Sequence, residues 1–205
     1  MPGKFIYLAS QSPRRAELLR QLGVSFEVVS APIDESLQAG ESPNHYVLRL
    51  AQAKAKAALA SLGGKTIRPL LAADTAVMVD GRILGKPHDR ADGLAMLARL
   101  SGRTHQVLSA IALWTPDGLH QASSTSTVTF RTITSEEAAA YWETGEPADK
   151  AGAYAIQGRG AVFVSHLDGS YSGVMGLPLY ETAQLLRSAG VPVLGGDHTS
   201  EEVRK

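Results

Sequence analysis

The sequence contains no cysteine, which excludes a disulfide framework and any thiolate metal site. Neither sign of charge is in excess: 20 Lys and Arg face 20 Asp and Glu. Aromatic residues are scarce, at 6%. A protein that wraps a nucleic-acid backbone carries a net basic surface, and one that grips single strands stacks bases on aromatic rings. Both shortages argue against a nucleic-acid partner and leave room for a small polyanion held by a few local cations. No apolar run approaches membrane-spanning length. The run after Met1-Pro2-Gly3-Lys4 is too short for a signal peptide, so the expectation is a soluble, cytoplasmic protein with no membrane partner. There is no G-x-S-x-G elbow and no P-loop. The histidines have no metal-ligand spacing, and His105, His120 and His166 read as structural or surface residues of strands.

What is present is enough apolar sequence for a core: 44% of 205 residues. The chain reads as one domain over residues 1–194, with 195–205 a polar, flexible tail. Periodicity and turn signals predict a strand at Phe5–Ala9, a helix at Pro13–Leu22 closed by Gly23, and a strand at Phe26–Ser30. A loop, Ala31–Glu41, precedes a long helix from Pro43 to about Leu62, with Val47, Leu50, Ala51, Lys54, Ala55 and Ala58 on one stripe. Pro69–Ala73 reads as an apolar strand stopping at Asp74. Asp80-Gly81 signals a short hairpin, Asp89 a helix start, and Asp117-Gly118 the turn of a long hairpin. Thr134 and Glu137 fit a capping box for a helix at Ser135–Thr144. Asp149–Gly160 and Asp168–Gly176 read as loops, Ala161–Leu167 as a strand, and Pro178–Ala189 as the last helix. The fold class is mixed α/β with a long antiparallel hairpin.

The most informative stretch runs from Leu8 to Leu19, where a strand enters two serines and Pro13 opens a helix with Arg14 and Arg15 in its first turn. First turns favour acids, because the dipole end there is positive. Two arginines oppose that preference and make an anion site of the free N–H groups. A solvated Arg pair is the plainer reading of that segment alone. Elsewhere, Asp74 directly follows a buried strand, which is costly unless the carboxylate is paired or bound to a cation. Lys54 lies on the apolar stripe of its helix, where it either snorkels outward or serves a purpose. Gly85-Lys86-Pro87 is a cationic turn, and Asp34 and Glu35 are loop acids. The small residues of Asp149–Gly158 permit close backbone approach, and Gln157 offers a donor and an acceptor suited to a nucleobase edge.

Together these segments resemble the Maf family of nucleoside triphosphate pyrophosphatases. The matching pieces are Leu8–Leu19, Ala73-Asp74-Thr75, Gly85-Lys86-Pro87, Ser101–His105, Asp149–Gly158, and Gly169-Ser170-Tyr171-Ser172 with Gly176–Leu179, in family order to about Gly190. The resemblance implies an α/β fold with a mixed elongated sheet, flanking helices and two lobes around a cleft, similar to the inosine triphosphate pyrophosphatases, and commonly a homodimer. It implies hydrolysis of a nucleoside triphosphate to monophosphate and pyrophosphate with a divalent metal, Mg²⁺ or Mn²⁺. Ala-Tyr-x-Ile-Gln-Gly and Gly-Ser-Tyr look like the dTTP and UTP branch, whereas the 7-methyl-GTP branch differs there. Family members are also associated with septum formation, so a nucleotide-binding regulator of cell division is the alternative of another class. On this reading Ser10, Ser12, Arg14, Arg15, Lys54 and Lys86 hold phosphate, and Glu35 and Asp74 anchor the metal. By resemblance Asp74 is the proton acceptor, and Arg14, Thr75 and Gln157 tune substrate choice.

Overall fold

The computed structural model describes residues 5–30, 32–64, 66 and 68–195. Residues 196–205, nearly all of the segment read as a tail, lie outside the described residues, as does Ala31 of the first loop.

A seven-stranded mixed sheet forms the frame. Its strands are β1 (Ile6–Ala9), β2 (Phe26–Val28), β3 (Leu70–Val79), β4 (Arg82–Leu84), β5 (Thr104–Thr115), β6 (Gly118–Phe130) and β7 (Val164–Asp168). The order is β2-β1-β3-β5-β6-β7, with β4 also on β3. β1 runs parallel to both β2 and β3, whereas β3 through β7 pair antiparallel. The helices are α1 (Pro13–Gln21), α2 (Pro43–Ser61), α3 (Arg90–Leu100), α4 (Ser135–Trp142), α5 (Tyr171–Met175) and α6 (Leu179–Ser188).

Alternation along β3 divides the core in two. Leu70, Ala72 and Ala76 pack with Val47, Ala51, Ala55 and Ala58 of α2. Leu71, Ala73, Val77 and Val79 face the other way, into a larger cluster with α1, α3, α4 and α6. The α2 side is rich in alanine, so the helix lies close to the sheet. The capping box at Thr134 and Glu137 forms as the sequence signals, and Asp89 caps α3. Asp80 and Gly81 both take positive φ, 51° and 70°, in the tight β3–β4 turn.

Five expectations are corrected. β3 does not stop at Asp74 but continues five residues further, to Val79, pairing with β5 from Leu70 to Met78. A carboxylate within a buried strand reads as a terminus unless its partner is known, and the partner comes from α2. The strand expected from Ala161 begins at Val164, because Arg159–Phe163 forms a 3₁₀ turn. Asp168–Gly176 is not all loop: Ser170 caps α5, accepting from Gly173 N at 2.9 Å, and Gly176 ends it with φ 119°. Within Asp149–Gly160, Ala151–Ala153 is likewise a 3₁₀ turn. β2 is also shorter than expected, ending at Val28.

Strand registry places the cavity. β1 ends at Ala9, opposite Ala72 of β3, and β4 joins the same edge only from Val77. Between these two, β3 has no strand neighbour on that side. Asp74 and Thr75 fall in this gap, so side chains from both faces of the sheet reach one opening. The gap lies at the carboxyl end of β1, where open α/β sheets hold ligands.

Candidate active site

A cavity of about 520 Å³ occupies the gap. All ten residues singled out from the sequence line it: Ser10, Ser12, Arg14, Arg15, Glu35, Lys54, Asp74, Thr75, Lys86 and Gln157. They come from six places in the chain. The β1–α1 turn supplies the serines and arginines, the loop before α2 supplies Glu35, α2 supplies Lys54, β3 supplies Asp74 and Thr75, and two later loops supply Lys86 and Gln157.

Asp74 is 6% exposed, on the α2 face of the sheet. Lys54 reaches it from the helix, with Nζ donating to Oδ1 at 2.6 Å. The same ammonium lies 2.7 Å from Oε1 of Glu35, whose side chain is half exposed. Burial pushes the Asp74 carboxyl above its usual range, and the opposing charges of Lys54 and Arg15 only partly offset this. Glu35 goes the other way: burial tends to raise it, but the hydrogen bond and charge of Lys54 prevail and hold it below the ordinary value. The two acids beside one cation are thus driven apart, the pattern expected when one is to take a proton and the other to stay ionised.

The two arginines differ in how they are held. Arg15 is tied on three sides: Nε donates to Gly176 O at 2.8 Å, Nη1 to Ser10 Oγ at 3.3 Å and Nη2 to Thr75 Oγ1 at 3.3 Å. Among the described residues Arg14 has only a long contact with Asp149, 3.9 Å between Nη1 and Oδ2. Arg15 is therefore held against the cavity wall by its own chain, whereas Arg14 is not. Ser12 stands at the N-cap position of α1, but its side chain makes no cap hydrogen bond. Its own N–H instead donates to Ser10 Oγ at 3.2 Å. The first turn of α1 thus meets the cavity without a side-chain cap.

Thr75 projects to the opposite face from Asp74. Its Oγ1 lies 2.8 Å from Ser109 Oγ of β5, and Ser109 in turn donates to Gly173 O at 2.6 Å. Lys86 is exposed at the rim and has no ion pair among the described residues. Gln157 is exposed on the far wall, and no hydrogen bond engages its side chain among the described residues.

Sequence reasoning missed several lining groups. Tyr46 lines the cavity and donates from its hydroxyl to the Glu35 carbonyl at 2.9 Å, fixing the loop that carries Glu35. Behind the lining, Ser109 of β5 orients Thr75 and carries no local signal, and the Gly176 carbonyl, within a segment noted only for its resemblance, orients Arg15. Asp34, noted beside Glu35, turns away from the cavity and caps its own loop through Ser36.

Glu35 and Asp74 facing one ammonium mark a position built for positive charge. Two carboxylates suit Mg²⁺ or Mn²⁺, which take oxygen ligands and complete their shell with waters and substrate phosphates. No cluster of three or more acidic or histidine side chains occurs among the described residues.

Comparison with known proteins follows this geometry. A "dTTP/UTP pyrophosphatase" of Burkholderia pseudomallei is 57% identical over 197 residues, covering 91% of this chain and 94% of that protein. Proteins of the same name from Methylobacillus flagellatus and Saccharophagus degradans are 54% and 53% identical over 190 residues each. These cover 93% and 92% of this chain, and 95% and 90% of the relatives. The solved structure of the Staphylococcus aureus Ham1 protein aligns with 62% of this chain and 72% of its own, at a TM-score of 0.41 and 17% identity. The model of the family described as "Maf-like protein" matches residues 5–189, the whole stretch that builds the sheet and the cavity, and the chain belongs to the Maf family.

Proposed function

We propose that this protein is a nucleoside triphosphate pyrophosphatase that hydrolyses dTTP and UTP to the monophosphate and pyrophosphate. The observation that carries the reading is the buried Asp74, raised by its surroundings toward proton-accepting strength and ringed by Arg14, Arg15, Lys54 and Lys86 in one cavity. The names of relatives at 53–57% identity support the substrate assignment.

A triphosphate repels an incoming nucleophile, so the site must offset charge before chemistry proceeds. Arg15, already fixed, offers its guanidinium without further ordering cost. Arg14 and Lys86 close on the outer phosphates, and the open first turn of α1 adds N–H donors. Asp74 holds a water by Oδ2, since Oδ1 is engaged by Lys54. The water oxygen forms a bond to the α-phosphorus, its proton passes to Asp74, and the α–β anhydride bond breaks to release pyrophosphate. Glu35 and Asp74 would hold a divalent cation, which would supply charge neutralisation toward the triphosphate. Gln157, unengaged by the protein, reads the base edge. The resemblance that brings this activity also brings a homodimer, a cytoplasmic setting, a house-cleaning role and a link to cell division, which belong to the same proposal.

The test is pyrophosphate release from a panel of canonical and modified nucleoside triphosphates with Mg²⁺ or Mn²⁺. Activity on dTTP and UTP that vanishes on chelation and in Asp74→Asn supports the reading. Activity confined to another base keeps the reaction and overturns the substrate. A folded protein inactive on the whole panel overturns the enzyme.

A further inference from the structure

Gln157 sits at a corner of a tight turn in which Gly158 N donates to Ala155 O at 3.2 Å. The backbone on both sides of that turn is gripped by one pair of side chains outside the cavity lining. Glu146 Oε2 accepts from Arg159 N at 3.0 Å, and Oε1 accepts from Gly160 N at 3.1 Å. Oε1 also accepts from the Tyr141 hydroxyl at 2.6 Å, and that hydroxyl accepts in turn from Ala155 N at 3.1 Å. The chain lies so flat on this pair that side chains are excluded. A Cβ on Gly158 would stand 2.2 Å from Glu146 Oε2, and one on Gly160 would stand 2.7 Å from the Tyr141 hydroxyl.

We propose that Glu146, acting through Tyr141 and the backbone of residues 155–160, is a positioning residue for base recognition by Gln157. The proposal rests on the nucleotide reading above. A glutamine side chain has three rotatable bonds, and a mobile backbone beneath it adds to the ordering cost of every contact. Holding the turn at residues 155, 159 and 160 removes the backbone part of that cost before the nucleotide arrives. The chemistry of the clamp suits the task. Hydrogen bonds from Tyr141 and from the two backbone amides outweigh burial and hold the Glu146 carboxyl below its usual value, while burial and the neighbouring carboxylate push the Tyr141 phenol up. The acceptor stays ionised and the donor stays protonated across the physiological range, so the turn is held by charge-assisted bonds. Immediately before the turn, the Tyr154 hydroxyl is fixed 2.8 Å from His105 Nε2, so the entering chain is anchored too.

The experiment is a double-mutant cycle on hydrolysis of UTP and CTP, which present opposite donors and acceptors on the pyrimidine edge. Glu146→Gln and Tyr141→Phe are expected to raise the KM for UTP by about tenfold, the equivalent of one net hydrogen bond, with a smaller change in kcat. The preference for UTP over CTP falls in parallel. In a Gln157→Ala background the same substitutions change KM by no more than about twofold, because the effect runs through Gln157. A full effect that persists in that background overturns the proposal, as does a wild-type KM in both single variants. If the wild-type protein hydrolyses neither UTP nor dTTP, the substrate reading fails first, and amide hydrogen exchange then decides the clamp alone. Faster exchange in Glu146→Gln at residues 155–160, with 70–79 unchanged, supports it, and unchanged exchange at 155–160 removes it.

Discussion

Lys54 delivers its ammonium to Asp74 from the middle of an apolar helix stripe, and it does so at 2.6 Å. Ala51, Ala55 and Ala58 on the same stripe keep α2 near enough to the sheet for the reach. The cation is thus part of the core and part of the cavity wall at once. Removing it leaves Asp74 with Arg15 as its remaining nearby positive charge, and burial then raises the carboxyl further. Because the base works ionised, turnover rises with pH through the Asp74 titration. In Lys54→Met the acid limb of the kcat/KM profile is expected to move to higher pH than in the wild type. An acid limb that stays in place disconnects Asp74 from the limb. The stability loss stays below the roughly 3–5 kcal/mol of a broken buried ion pair, because Asp74 escapes by taking up a proton.

Asp74→Asn separates stability from chemistry. The folded carboxyl titrates above its unfolded value, so its contribution to stability is present at low pH and lost as pH rises through the folded pKa. At neutral pH the ionised group is a liability to the fold. The amide removes that liability while keeping the shape. A Tm equal to or above the wild-type value is expected, with turnover down by about two to four orders of magnitude. A lower Tm with near-normal turnover would reverse both assignments.

Local signals carried most of the architecture, and long-range ones did not. The Thr134–Glu137 box and the Asp80-Gly81 turn are contained within four residues each, and both form. The extension of β3 through Asp74 was illegible, because the cation that makes it tolerable lies 20 residues upstream on another element. The same applies to Arg15, whose partners at Ser10, Thr75 and Gly176 meet only in the folded chain. The short helix α5 was masked by composition: its glycines and serines read as loop, although Ser170 and Gly176 are its start and stop. Arg14, Arg15, Lys54 and Asp74 were legible because each sits where its charge is out of place, in a first helical turn, on an apolar helix stripe or in a buried strand, whereas Ser10, Glu35, Thr75 and Lys86 stood out only through the family resemblance.

Gly93 offers a packing test away from the cavity. It lies inside α3, and a Cβ there would stand 2.1 Å from Cζ3 of Trp142 on α4. Alanine in place of glycine gains about 1 kcal/mol of helix propensity. The overlap with the indole costs about 1–3 kcal/mol or more, so overpacking prevails. Gly93→Ala is expected to lower Tm, and Trp142→Leu in the same protein to restore part of the loss. A Tm that rises in Gly93→Ala would mean that the ring moves aside at no cost.

His105 sets an acid limit on the fold. It is 2% exposed, edge-on to Phe130 and Tyr154 with centroids 4.9 and 5.4 Å away, and its Nδ1 has no hydrogen-bond partner among the described residues. Burial pushes its pKa down from 6.5 to about 4. The folded state therefore refuses a proton that the unfolded chain accepts. The stability this carries is complete above pH 6.5 and is lost as pH falls toward 4, by about 3 kcal/mol at most. Urea unfolding at pH 7, 5.5 and 4.5 measures the slope. In His105→Leu the slope across that window is expected to flatten, on a baseline lowered by about 1–3 kcal/mol because the Tyr154 hydroxyl loses its buried partner. An equally steep decline in the variant would assign acid sensitivity to other groups and leave His105 a packing residue alone.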